Sequence, residues 1–270
     1  MISGNYIANL FRSHRVLLIF AFCFVGIFQV LIISLVIEAD LLGMIEQIYQ
    51  RMPPQMQLML GEQFLTQLSA EGAIAFGYNY PLVLVMVILV AILLPARHIA
   101  GEIETGTLEL LFTFPIQRSM VTLSLWLGSM SALMIVIIGC WAGTGLGLLL
   151  YPEARGIEAM TIVIVGISLW LLAATVSSYT LLIASFATES GKATLRAMGT
   201  TLIFYFIDFA AVMWPTIDFL RPFTVFQYHQ PQRLIANTAD LWMSTLVLGM
   251  VIIVSVALSA RQVNRRDISV

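Results

Sequence analysis

The chain has 270 residues, of which 60% are hydrophobic and 10% charged, and its mean hydropathy is +0.94. A soluble domain carries about 25% charged residues, so this composition excludes an ordinary soluble fold and indicates a membrane protein. The formal net charge of −2 provides no positive field for nucleic acid, so we expect no nucleic-acid partner. Cys23 and Cys140 lie in apolar runs and predict buried side chains rather than a disulfide or metal site.

Six segments are long and apolar enough to cross a bilayer, which takes about 20 residues for a hydrocarbon core about 30 Å thick. The predicted spans are 16–37, 73–96, 120–150, 160–186, 197–213 and 241–260. The most apolar part of the second begins at Pro81, and the fifth contains an embedded acid, Asp208. We therefore predict an all-α polytopic membrane protein, a single transmembrane domain over residues 1–270 with six spanning helices and short interfacial helices.

The distribution of basic residues predicts the orientation of the spans. Nine of the 13 Lys and Arg residues fall on the side of the N-terminus, and four fall on the other side. Because cytoplasmic loops are enriched in Lys and Arg, both termini are predicted to be cytoplasmic. The first apolar run is too long for a signal peptide, so we expect an uncleaved anchor. The predicted location is the plasma membrane, which is the inner membrane in a bacterium.

Two segments on the predicted outer side are substantial, residues 38–72 and residues 214–240. The first carries five acids against one arginine and contains three helically spaced methionines, Met52, Met56 and Met59. Thioethers bind soft metal ions, but no His or Cys accompanies them, which favours an amphipathic helix on the membrane or on its neighbours. The second contains three prolines among aromatic residues, a spacing that predicts short helices at the interface or re-entering the membrane.

The most informative stretch is the predicted cytoplasmic segment 97–119, between the second and third spans. It gathers Glu102, Glu104 and Glu109 in a chain that is otherwise poor in acids, and it alternates them with leucine and isoleucine. A segment that is both acidic and apolar on the inner membrane surface is suited to docking against another protein. The alternative is a membrane-surface loop whose acids are simply solvated.

Local helix signals subdivide this stretch. Gly101 and Gly106 can each end a helix, and Thr107 is placed to cap the helix that follows. Glu109 then lies in the first turn, where the helix dipole favours an acid. Pro115 ends that short helix before the third span begins. The sequence thus predicts two short helical pieces joined by a glycine hinge.

In this stretch the chain resembles the permease subunits of the ATP-binding-cassette type-2 exporter family. Those permeases commonly show Gly-Glu, a Glu or Lys, then Gly-Thr-Leu-Glu-Leu-Leu, and a proline shortly before a basic residue. The matching positions here are Gly101, Glu102, Glu104, Gly106, Thr107, Leu108, Glu109, Leu110, Leu111, Pro115 and Arg118. The six-span layout, the long first outer segment and the short basic tail extend the resemblance over most of the chain.

The resemblance implies a coupling element. In such permeases this segment docks in a cleft of a separate cytoplasmic ATPase subunit, which closes on ATP and moves the spans. Glu102 and Glu104 would then contact basic groups of the ATPase. The resemblance also implies a second permease copy or a homologue, two ATPase subunits and export. ATP and Mg would bind to the partner, so this chain would bind no cofactor and catalyse no reaction itself.

Other motifs do not add a nucleotide site. A phosphate-binding loop needs two glycines, a lysine and a hydroxyl, and the nearest match, residues 190–193, lacks the first glycine and the hydroxyl. Lys192 and Arg196 are instead predicted as a second inner-face contact for the ATPase. The third span carries three glycines spaced by four residues, which predict close helix packing rather than a dinucleotide site: Gly139, Gly143 and Gly147.

A few polar residues lie inside the spans. A charge there costs about 2.5 to 3.5 kcal/mol, which makes Asp208 a candidate for the substrate pathway. Its alternative role is an interfacial or hydrogen-bonded carboxyl group, because Trp214 follows closely. Gln29 and Ser177 could line the same path or only bond neighbouring helices. Three histidines lie on separate segments, so no shared metal site is expected: His14, His98 and His229.

Two competing classes of function remain beside the ABC permease. One is an ion-coupled secondary transporter that uses Asp208 as a proton or ion relay, although many such carriers have an inverted repeat and none is evident between the two halves. The other is a membrane scaffold without transport. The pathway candidates are too unspecific to indicate the substrate.

Overall fold

A computed structural model of the chain describes residues 4–38, 47, 51, 70–105, 118–152, 159–231, 234 and 240–265. These residues form seven long or medium α-helices: α1 Gly4–Glu38, α2 Ala70–Asn79, α3 Pro81–Glu104, α4 Arg118–Leu150, α5 Ala159–Phe186, α6 Ser190–Met213 and α7 Asp240–Arg265. Two 3₁₀ helices, Pro215–Phe223 and Phe226–Tyr228, lie between α6 and α7, as the prolines of that segment predict. No strand occurs in the described ranges.

Six of these helices, α1 and α3 to α7, are long and apolar enough to cross a membrane. The predicted all-α membrane fold is therefore confirmed. The second predicted span, 73–96, differs in detail because it is divided between α2 and α3. Tyr80 is extended, with φ −66° and ψ 136°, and α3 restarts at Pro81. Proline lacks a backbone N–H and restricts the preceding residue to extended conformations. The helix is therefore interrupted at Tyr80, immediately before Pro81.

The end of α3 corrects the prediction for the start of segment 97–119. Residues 97–104 continue α3 instead of forming a separate short helix, and Gly101 lies inside this helix. A glycine in a helix costs only about 1 kcal/mol, which tertiary packing readily offsets. The helix ends one turn later, where both the N–H and the hydroxyl of Thr105 donate to the Gly101 carbonyl.

Helix α5 lies at the centre of the bundle and packs against α3, α4, α6 and α7. Every residue from 172 to 181 is buried, including several with hydroxyl groups. Thr175, Ser178 and Thr180 each donate a hydrogen bond to the carbonyl four residues earlier. These bonds satisfy the hydroxyl groups inside an apolar medium, which is why a polar central helix is stable there.

The glycines of α4 form a close contact with α1, which confirms their predicted packing role. A Cβ atom added at Gly143 would lie 2.1 Å from the Gly26 carbonyl oxygen, and one at Gly139 would lie 2.8 Å from the Phe22 carbonyl oxygen. At Gly147 the obstacle is the Ile33 side chain, at 2.5 Å. Only residues without a side chain let the two backbones approach this closely.

The contacts define two ends of the bundle. At the Glu104 end, α3 stops and α6 begins, and the His14 ring of α1 contacts the His98 ring of α3. At the His229 end, His229, which follows the second 3₁₀ helix, lies within hydrogen-bond distance of Ser168 of α5, and α2 also contacts α5. Both α4 and α7 run between these ends, with α4 beginning and α7 finishing at the Glu104 end.

The outward faces of α1, α6 and α7 are apolar and exposed. In α6 and α7, 17% of the residues in the most apolar stretch are buried within the chain. Cys23 is exposed on α1, whereas Cys140 is buried on α4. The prediction of a buried side chain is wrong for Cys23, because no other described helix covers that face of α1. Met52, Met56 and Met59 lie outside the described residues.

Candidate functional site

The predicted coupling residues fall into two groups, those in the described part of the chain and those outside it. Gly101, Glu102 and Glu104 lie in its last turns, and Arg118 is the first residue of α4. The three remaining coupling residues lie outside the described part of the chain: Gly106, Thr107 and Glu109. The described coupling residues therefore belong to the ends of two membrane-length helices at the Glu104 end.

Glu104 bonds to the first residue of α6. Its Oε2 atom accepts a hydrogen bond from the backbone N–H of Ser190 at 3.0 Å and another from the Ser190 hydroxyl at 2.9 Å. The N-terminus of a helix carries unpaired N–H groups and a partial positive charge, so a carboxylate is a favourable cap. Gly101 lies on the same side of α3, where an added Cβ would be 3.8 Å from the Ser190 Cβ. The end of α3 is thus joined directly to the start of α6.

Glu102 lies on a second side of α3, beside two histidines. Its Oε1 atom is 3.7 Å from Nδ1 of His98, one helical turn earlier. The His98 ring in turn contacts the His14 ring edge to face, with 5.0 Å between their centroids. The sequence placed these histidines on separate segments and did not predict this contact, because no sequence pattern links residues so far apart in the chain. Glu102 and Glu104 therefore have different surroundings.

Lys192 and Arg196 lie one turn apart at the start of α6, and both are exposed. The ammonium group of Lys192 pairs with the carboxylate of Glu189, the residue before α6. With Glu104 bonded to Ser190, this helix start carries two acids at its first residues and two bases within the next two turns. It offers both signs of charge to a docking partner, which is compatible with the predicted second contact.

Asp208 lies five residues before the end of α6 and forms an ion pair. The guanidinium Nε of Arg221, in the first 3₁₀ helix, donates to Oδ1 of Asp208 at 3.1 Å. The Asp208 side chain is 20% exposed and the Arg221 side chain is 18% exposed. The sequence offered an interfacial or hydrogen-bonded carboxyl as the alternative role, and this geometry shows the hydrogen bond. The arginine balances the charge that would otherwise be costly at this depth.

Gln29 and Ser177 are both buried, on α1 and α5. Neither amide atom of Gln29, nor the Ser177 hydroxyl, has a hydrogen-bond partner among the described residues. Gln29 packs against Gly77 of α2, where an added Cβ would be 2.6 Å from Oε1. A buried polar group without a hydrogen-bond partner costs about 1 to 3 kcal/mol. Gln29 has two such atoms and Ser177 has one, so Gln29 is the more unusual of the two. No hydrogen bond joins Gln29, Ser177 or Asp208 to one another in the described ranges.

Sequence reasoning missed a polar contact at the His229 end. Nδ1 of the buried His229 is 2.9 Å from the Ser168 hydroxyl of α5. Burial lowers the pKa of His229 to about 4, so its imidazole is neutral at physiological pH. On α2, the Tyr78 hydroxyl lies 3.0 Å from that of Thr144. Since Thr144 already donates to the Cys140 carbonyl, Tyr78 is the donor. These bonds hold α2 and the 3₁₀ helices on α4 and α5.

The hydrogen bonds from Ser190 to Glu104 connect the end of α3 to the start of α6. Within the described residues, no three His, Cys, Asp or Glu side chains converge on a point where a metal ion could bind. Among the described site residues, the coupling residues Gly101, Glu102, Glu104 and Arg118 share a place at helix ends.

A known protein family matches nearly the whole chain. Residues 2–268 match a family model described as ABC-2 family transporter protein. No curated protein matches the chain.

Proposed function

We propose that this chain, which belongs to the ABC-2 family of transporter proteins, pairs with a second copy or a homologous permease to form a pathway for export. As an ABC permease subunit it supplies the membrane-spanning part of a transporter. Two separate cytoplasmic ATPase subunits bind ATP and Mg and supply the free energy. The chain itself performs no covalent chemistry. Its substrate pathway lies between the two permeases.

The observation that carries this proposal is the joint between Glu104 and Ser190. The segment proposed to dock into the ATPase, residues 97–119, begins in the last turns of α3. Since the Glu104 carboxylate holds the first N–H of α6 at 3.0 Å, a displacement of the docked segment would move the ends of α3 and α6 together. Both helices contact the central helix α5. A movement of the ATPase would therefore be transmitted through α3 and α6 to the central helix α5.

The glutamates take separate roles in this proposal. Glu102 lies beside His98 with its side chain 20% exposed, and it is the acid assigned to contact a basic group on the ATPase. Glu104 acts within the chain, as the residue that positions α6 relative to α3. Lys192 and Arg196 add a second contact for the ATPase, one turn away on α6. ATP binding favours one arrangement of these helices and hydrolysis restores the other, as in any ligand-driven two-state equilibrium.

The Glu104 end is proposed to face the cytoplasm. Exposed basic residues gather there on several helices: Arg12, Arg15, Arg97, Lys192, Arg196, Arg261 and Arg265. Because Lys and Arg are enriched on the cytoplasmic side, this end, with both chain termini, is the inner one. In a bacterium the protein would lie in the inner membrane.

We predict that Asp208→Asn retains ATP-driven transport at more than half of the wild-type rate. The asparagine oxygen can still accept from Arg221, so the loss is limited to the charge interaction, about 1 kcal/mol of stability for a partly exposed pair. Transport into proteoliposomes and thermal unfolding of the purified protein measure the two effects. Arg221→Gln should lower stability more, because it leaves the largely buried carboxylate of Asp208 without its balancing charge. Abolished transport with unchanged stability would instead support a relay role for Asp208.

Site-specific photo-crosslinking tests the proposed docking. A photoreactive amino acid at position 102 should capture a stoichiometric protein with a nucleotide-binding site, in the native membrane. The same group at position 203 is the matched control, because Ile203 is 60% exposed on the apolar face of α6 and should meet lipid. Capture of no ATPase from position 102, or equal capture from both positions, would contradict the docking assignment.

A further inference from the structure

A groove lies between the first turns of α4 and the last turns of α7, at the Glu104 end. It has a volume of about 460 Å³. Met120, Leu123 and Trp126 line one wall, and Ile253, Ala257 and Ala260 belong to the other. The indole N–H of Trp126 points elsewhere, because it donates to the Ser178 hydroxyl of α5. The groove is therefore almost entirely apolar, and water gains little by filling it.

The groove opens outward and runs along the helices. Ile253 is 70% exposed, whereas Met120 and Leu123 are 36% and 38% exposed, so its occupant comes from outside the bundle. Its α7 wall extends from residue 252 to residue 260, which at 1.5 Å per residue is a length of about 12 Å. A slot of this kind, parallel to the spanning helices, matches the direction of a lipid acyl chain.

Two arginines extend the α7 wall beyond the mouth of the groove. Ala257 and Arg261 are neighbours four residues apart on α7, as are Arg261 and Arg265, so the two arginines follow the Ala257 edge of the groove. Arg261 and Arg265 are exposed, and neither takes part in an ion pair with the described residues. The opposite wall begins at Ser119, the second residue of α4. The apolar slot thus ends at a patch of positive charge.

We propose that this groove binds an anionic phospholipid, with an acyl chain between α4 and α7 and the phosphate on Arg261 and Arg265. Guanidinium groups bind phosphate oxygens in a bidentate geometry, and basic pockets beside spanning helices select anionic headgroups. A second copy of the chain is a poorer occupant, because a two-fold interface at this groove would bring the same arginines of both copies together. The proposal concerns lipid binding and does not depend on the coupling mechanism.

Native mass spectrometry of the purified full chain tests this proposal, with equal amounts of phosphatidylglycerol and phosphatidylcholine added. Wild-type protein should retain phosphatidylglycerol preferentially. In the double variant Arg261→Gln/Arg265→Gln the affinity should fall about 30-fold, since each basic residue contributes about 1 kcal/mol near an anionic headgroup. The matched control is Arg12→Gln/Arg15→Gln, which removes two exposed charges from the same end on α1 and should leave the preference unchanged.

Further variants separate the groove from the charges. Ala257→Phe fills the slot and should weaken both lipids, and its thermal unfolding shows whether the fold is intact. The smaller Ala257→Val should give an intermediate loss if the larger variant misfolds. Equal binding of both lipids to wild-type protein, or an equal loss in the α1 control, would overturn the proposal. So would disulfide formation between two copies through Ile253→Cys in a Cys23→Ser background, because a second permease would then occupy the groove.

Discussion

Replacing Gly143 by alanine is expected to destabilise the bundle by about 3 kcal/mol, the upper range for overpacking a close contact. The new Cβ would lie 2.1 Å from the Gly26 carbonyl oxygen and 2.6 Å from the Gly26 Cα. Both obstacles are backbone atoms, so no side-chain rotation can relieve the clash and α1 must move away from α4. The expected result is a lower yield of folded protein and loss of transport, because the bundle no longer assembles correctly.

Gly145→Ala is the matched control for this change. Gly145 lies two residues further along the same helix, and a Cβ added there meets no atom within 4 Å. Its stability should stay within about 0.5 kcal/mol of the wild type, as for most exposed substitutions. Unfolding by titration with a denaturing detergent measures both variants in the same micelles. Similar midpoints for the two variants would show that α1 and α4 are not packed through Gly143.

Reversing Glu102 and Glu104 to arginine should leave membrane insertion intact while ATP-driven transport falls at least about tenfold, the equivalent of 1.4 kcal/mol. At position 102 the new charge would repel the basic group proposed on the ATPase. At position 104 a guanidinium would face the positive end of α6 and lose both hydrogen bonds from Ser190. Copurification of the ATPase and transport in proteoliposomes are the measurements. Unchanged association and transport in the double variant would contradict the coupling assignment.

Single substitutions distinguish the two proposed roles. Glu102→Arg should weaken association with the ATPase, whereas Glu104→Gln and Ser190→Ala should leave association unchanged and slow transport per ATP hydrolysed. Ser190→Ala removes one of two hydrogen bonds at the joint, a loss of about 1 kcal/mol, so its effect should be smaller than that of Glu104→Arg. If Glu104→Gln instead weakens association as strongly as Glu102→Arg, Glu104 contacts the ATPase as the sequence resemblance implies.

Much of the architecture follows from the sequence because the bilayer imposes strong constraints. Inside hydrocarbon every backbone N–H and C=O group must be bonded within its own helix, so apolar runs of sufficient length are helices whatever their neighbours. The break before α3 follows from Pro81 and the short helices after α6 from their prolines. The packing role of Gly143 could also be predicted, since only small residues at this spacing let two helices approach closely.

The sequence by itself determined the helices, their apolar character and the family, whereas the tertiary structure decided which polar groups meet. Glu104 with Ser190 and Asp208 with Arg221 are pairs whose members carry no recognisable mutual spacing. The end of α3 likewise differs from the sequence prediction, and its last residue, Glu104, accepts tertiary hydrogen bonds from Ser190. The physical reason is the distance along the chain over which each interaction acts. Helix formation in a membrane depends on local composition, whereas hydrogen bonds between helices depend on how the helices pack together.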